Sequence, residues 1–82
     1  MISPFITHRK KILGNYGAGH FLQSVVLAMY NGRLYKADLS GLTNLDQEHL
    51  EAFLKMTASY ACYGENDSAF LSLARECIEL RE

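Results

Sequence analysis

No acidic residue occurs before Asp38 in this 82-residue chain. From Met1 to Ala37 the formally charged side chains are Arg9, Lys10, Lys11, Arg33 and Lys36, whereas from Asp38 to Glu82 nine carboxylates face Lys55, Arg75 and Arg81. A net charge of −1 therefore conceals two halves of opposite sign. Such a chain either folds its halves onto one another so that they neutralise, or holds a basic face and an acidic face apart and presents them to partners.

The length allows one core and no second one, so a single helical domain over residues 1–82 is expected. Apolar residues make up 49 % of the chain and there is one proline, which argues against disorder and leaves no linker. The longest apolar stretch, Val25 to Tyr30, falls far short of the ~18–20 residues that cross a bilayer, so no membrane partner is expected. Ile2, Pro4, Phe5 and Ile6 precede the basic cluster, the reverse order of a secretory signal, and the expected location is the cytoplasm. Cys62 and Cys77 should lie on consecutive antiparallel helices, one near the turn and one far from it. That offset exceeds the ~7 Å between Cα atoms that a disulfide tolerates, and two reduced, partly buried thiols are expected.

The helical pattern is legible in four segments. Ser3-Pro4 opens a helix over about 4–13, with Phe5, Ile6, Ile12 and Leu13 inward and Gly14 as its stop. A second helix runs from Ala18 to Asn31 with Phe21, Leu22, Val25, Ala28 and Met29 on one stripe and Gly32 after it. Leu39 and Leu42 look like plugs that pin a loop. Asn44 and Gln47 resemble a capping box for a third helix from Leu45 to Tyr63, whose stripe is Leu50, Phe53, Leu54, Thr57 and Ala61, with Met56, Tyr60 and Tyr63 on a second face. Gly64 closes it, and Asn66 or Asp67 caps a last helix over about 67–81 with Phe70, Leu73, Ala74 and Cys77 inward. The expected fold is thus all-α, a small four-helix domain. The alternative is α+β, because Asn31-Gly32 is also a favoured hairpin turn between Val25–Tyr30 and Arg33–Ala37, although that pairing would mix apolar and charged residues on each face.

No motif demands catalysis, a metal or another cofactor. Gly14-Asn15-Tyr16-Gly17-Ala18-Gly19-His20 leads into a helix N-terminus, where exposed amides suit an anion, but its spacing matches no nucleotide fingerprint and a flexible connection is the favoured reading. His8, His20 and His49 show no metal-site spacing and read as isolated surface or capping histidines. Glu48 with Glu51, and Glu76 with Glu79, read as solvated helix faces rather than acid/base pairs.

Binding is the better-supported class. Tyr30, Tyr35, Tyr60 and Tyr63, with Tyr16, exceed what four short helices need internally, and tyrosine suits a surface that must exclude water and still hydrogen-bond. The expected partner-binding set is Tyr30, Tyr35, Glu48, Glu51, Tyr60 and Tyr63, in which the carboxylates could imitate phosphates. The alternative set is Arg9, Lys10, Lys11, Arg33 and Lys36, a phosphate-tracking patch for nucleic acid or another anion. Self-association through opposite faces stays open as a third partner class.

Phe21-Leu22 through Leu27-Ala28-Met29-Tyr30-Asn31, then Asp38-Leu39-x-x-Leu42 and Leu45-Asp46, resembles an uncharacterised family of small proteins carried by bacterial phages and integrated mobile elements. The chain has Met29-Tyr30 where that family usually has paired tryptophans, and Gly32 directly after Asn31. The resemblance implies a mobile-element origin and carries over no catalytic residues. Small proteins of that origin include inhibitors of host defence, anti-CRISPR proteins among them, which work by occupying a larger complex.

Overall fold

A computed structural model describes residues 2–81. Ser3 accepts a hydrogen bond from the Phe5 amide and Pro4 takes the first helical position, which starts α1 (Pro4–Thr7); α2 (Arg9–Ile12) follows after a break at His8. The helix expected over 4–13 is therefore two four-residue pieces, which bury Phe5 and Ile12 and leave Ile6 exposed. Next come α3 (Gly17–Tyr30), a 3-10 turn (Leu39–Asn44), α4 (Gln47–Tyr63), a second 3-10 turn (Gly64–Asn66) and α5 (Ser68–Arg81). The fold is all-α, with no strand among the described residues.

The hairpin alternative at Asn31-Gly32 is thereby corrected. Val25 to Tyr30 belong to α3, and the Asn31 side-chain oxygen accepts from the amides of Arg33 and Leu34, so the chain turns locally instead of pairing strands. The cap of α4 also moves. Asn44 is drawn into the 3-10 turn, and Asp46 is the N-cap, accepting from the His49 amide at 2.8 Å. Gly64 ends α4 with φ at +53°, a conformation that L side chains rarely adopt.

Every α-helix feeds one buried cluster, with Phe5, Ile12, Leu22, Val26, Leu27, Met56, Phe70, Leu73 and Cys77 at its centre. Phe70 is the hub: its ring meets Phe5 and Tyr60, each at 5.1 Å between centroids. α3 is the central helix and buries Leu22, Gln23, Val25, Val26 and Leu27, more of its circumference than a single stripe, because α2, α4, α5 and the 3-10 turn all pack on it. Contacts between α3 and α4 advance in step, from Tyr16 with His49 through Phe21 with Phe53 to Tyr60 with Met29, so these two helices run parallel. The connection over 31–46 must therefore travel back along them, and Gly41 lets it lie against Phe21, whose ring atom is 2.5 Å from where a Cβ would stand.

The inward face of α4 differs from the sequence expectation. It buries His49, Ala52 and Met56, with Tyr60 half-buried, while Leu54 is 56 % exposed. Two apolar rows of equal period compete on this helix, and periodicity alone cannot rank them. Small Ala52 permits close approach, and the Tyr60 hydroxyl donates to the Met29 carbonyl at 2.8 Å, one of the last carbonyls of α3 that no helical amide reaches. On α5 the expected row, Phe70, Leu73, Ala74 and Cys77, is the buried one.

Both cysteines are free. Cys77 is buried, and that burial raises its thiol to about 11, whereas Cys62 is exposed rather than partly buried as expected.

Candidate functional site

The row of α4 beside its buried one, which runs from half-buried Phe53 against the core to exposed Leu54, forms the most distinctive surface of the molecule. Leu50, Phe53, Leu54, Thr57 and Ala61 share one side of the helix by their 3- and 4-residue spacing. Phe53 and Thr57 line an apolar groove of about 390 Å³ with Val25, Met29, Tyr35 and Leu39. Leu54 and Leu39, 56 % and 62 % exposed, extend its apolar character outward. Large aliphatic side chains grouped beside a groove whose lining is apolar but for Lys36 and Thr57 have the anatomy of a docking patch.

The expected partner-binding residues do not converge on one surface. Tyr35 lines the groove and Lys36 stands at it, its amine donating to the Gly32 carbonyl. Glu51 and Glu48 are exposed on α4. Tyr30 and Tyr60 are half-buried against the core, and the Tyr60 hydroxyl is already used. Tyr63 is 53 % exposed but lines a separate shallow cavity with Ser3, Ser59, Asn66 and Asp67. Three of the tyrosines, Tyr30, Tyr35 and Tyr60, thus roof the core.

The basic set is divided as well. Arg9 pairs with Glu76 across α2 and α5, so part of each charged half neutralises the other. Lys10 and Arg33 are exposed and Lys11 is half-buried. The glycine-rich loop has a packing role. A Cβ on Gly19 would stand 2.2 Å from the Gly14 carbonyl oxygen, and one on Gly14 would stand 2.2 Å from the Tyr16 ring, so both glycines permit close approach.

His49 is not the isolated surface or capping histidine that the sequence suggested. It is buried, with 8 % exposure, and its Nδ1 lies 2.8 Å from Asp46 Oδ1 while its Nε2 lies 2.8 Å from the Tyr16 hydroxyl. The pattern Asp46-x-x-His49 is visible in the sequence, but the Tyr16 contact spans 33 positions and left no local trace. No cluster of three or more His, Cys, Asp or Glu suited to a metal occurs among the described residues. No helix among them is long and apolar enough to cross a membrane.

The hydrogen bonds from the His49 amide and ring hold the Asp46 carboxyl below its usual range, against a small opposing effect of desolvation. A lowered carboxyl pKa contributes stability that is present above the unfolded value and disappears as pH falls through the folded one. The urea midpoint is therefore expected to fall as pH drops from about 5 to below the ordinary carboxylate range of ~4, and Asp46→Asn should flatten that fall. Asp38, lowered by its bonds from the Ser40 hydroxyl and amide, leaves a residual slope. Equal slopes in the two proteins would refute the assignment to Asp46.

Comparison of the chain with protein-family models, with curated proteins and with solved structures finds no match in any of the three.

Proposed function

We propose that this protein is a non-enzymatic macromolecule-binding domain, an inhibitor of phage or mobile-element origin that works by occupying a host protein complex, in the manner of anti-CRISPR proteins. The observation that carries this reading is the outer face of α4, where Leu54 stands exposed beside the groove lined by Phe53, Tyr35 and Leu39. A protein partner would cover that face, and Glu51 at its flank would meet basic groups of the partner. The resemblance in the 21–46 stretch supports the mobile-element origin.

Leu54 is exposed, so Leu54→Glu leaves the core intact while placing a charge in the docking face. Burying a leucine at an interface contributes ~1.5–3 kcal/mol, so this variant is expected to weaken binding by roughly 10- to 100-fold. The check is capture from a bacterial host lysate, followed by titration with the purified partner, comparing the unmodified protein, Leu54→Glu and the double variant Glu48→Lys with Glu51→Lys. Absence of a saturable partner, or equal affinity of Leu54→Glu, would overturn the reading. The nucleic-acid alternative would instead show steeply salt-dependent retention on an oligonucleotide, lost with Lys10→Glu and Lys11→Glu together.

A further inference from the structure

We propose that Tyr16 is a base-activated nucleophile, a covalent modification site that takes an acyl group from an activated acyl donor. Asp46 Oδ1 lies 2.8 Å from both the backbone nitrogen and Nδ1 of His49, so one carboxylate fixes the first turn of α4 and the imidazole together. A carboxylate can only accept, so the ring proton sits on Nδ1. Nε2 then carries the lone pair and accepts from the Tyr16 hydroxyl at 2.8 Å. The two rings meet edge to face, with centroids 5.4 Å apart and planes at 89°, and the tyrosine ring rests over Gly14, where a side chain would collide with it. The base is buried and oriented, while the nucleophile's residue is 45 % exposed at the surface. Nucleophile, base and orienting carboxylate in hydrogen-bonded series are the arrangement that activates a hydroxyl.

The step is a proton-coupled acyl transfer. Tyr16 Oη attacks the acyl carbon as His49 Nε2 takes the hydroxyl proton, so a new O–C bond forms. The bond from the acyl carbon to its leaving group then breaks, and the leaving group departs with the proton from the imidazolium. Asp46 stays ionised throughout and steadies the Nδ1–H. One acyl group is taken up per chain, without turnover. Acylation also removes the hydroxyl bond that ties the start of α3 to the start of α4.

Two other tyrosines serve as internal comparisons. Tyr60 donates its hydroxyl to a backbone carbonyl, which cannot carry the proton away. Tyr63 is comparably exposed, at 53 %, but stands fourteen positions beyond His49 on the same helix, ~20 Å away at 1.5 Å per residue. The probe is N-acetylimidazole at neutral pH, with acetylation of each tyrosine followed by peptide mapping in a mass spectrometer. Positioned general bases contribute about 10²–10⁴-fold; Tyr16 is expected to react at least about tenfold faster than Tyr63, with the ratio falling towards one in concentrated urea. His49→Gln should bring Tyr16 to the Tyr63 rate and leave Tyr63 unchanged, with circular dichroism confirming the fold. A Tyr16 rate at or below that of Tyr63 in the unmodified protein would overturn the proposal, even if His49→Gln failed to fold. An unchanged Tyr16 rate in folded His49→Gln would overturn it equally.

Discussion

Phe70→Ala is expected to remove a large share of the fold's stability and to lower the melting midpoint steeply. Phe70 is fully buried, and its ring joins α5 to Phe5 of α1 and to Tyr60 of α4, so its removal opens a cavity that three elements share. Truncating a buried phenylalanine costs about 3–5 kcal/mol, whereas domains have ~5–15 kcal/mol in total and one this small lies towards the lower end. For a chain of this length each kcal/mol moves the melting midpoint by roughly 4–8 °C, so a fall of more than about 12 °C is expected. Thermal denaturation followed by circular dichroism gives the answer. A fall of only a few degrees would show that the Phe5–Phe70–Tyr60 cluster is not the centre of the core.

Two glycines in the same helix are expected to respond in opposite directions. Glycine in a helix usually costs about 1 kcal/mol relative to alanine, so replacement should help wherever there is room. At Gly17 no atom lies within 4 Å of the added Cβ, and Gly17→Ala should stabilise by about 0.4–1 kcal/mol. At Gly19 the Cβ would stand 2.2 Å from the carbonyl oxygen and 2.8 Å from the carbonyl carbon of Gly14. These are backbone atoms, and Gly14 is held between α2 and the Tyr16 ring, so α3 would have to move away. Overpacking of this kind costs ~1–3 kcal/mol, and Gly19→Ala should destabilise by about that much despite its better helix propensity. Urea denaturation of the pair decides it, and a gain at both positions would mean that the loop yields freely.

The sequence made the helices readable because their ends carry local chemistry. Ser3-Pro4, Asp67 and Gly64 mark boundaries that the structure keeps to within a residue or two, and Phe70, Leu73, Ala74 and Cys77 form the main row of α5, with Leu71 and Ile78 half-buried beside it. On α4 the same reasoning chose the other face. Leu50 and Leu54 are more apolar than Ala52, but burial depends on how near a neighbouring helix can come, and side-chain size at Ala52 settled that through tertiary contacts. The sequence casts Leu39 and Leu42 as plugs that pin the connection, but Leu39 is 62 % exposed and Leu42 half-buried, and it is Gly41 that lies against Phe21. The return course along parallel α3 and α4 depends on contacts such as Tyr60 with Met29, 31 positions apart. The tyrosines illustrate the same limit. Their number pointed to a surface, yet Tyr30, Tyr35 and Tyr60 each pack against the core, only Tyr16 and Tyr63 stand exposed among the described residues, and most of the exposed large apolar side chains are aliphatic.

The placement of the two thiols gives this chain an intrinsic clock for its own breathing. Cys62 meets solvent directly and is open to an alkylating reagent at once, while Cys77, held near 11 and buried on the inward face of α5, becomes available only when the interior parts. The lag between the two labelling events measures how often the folded state opens, with no foreign reporter group attached.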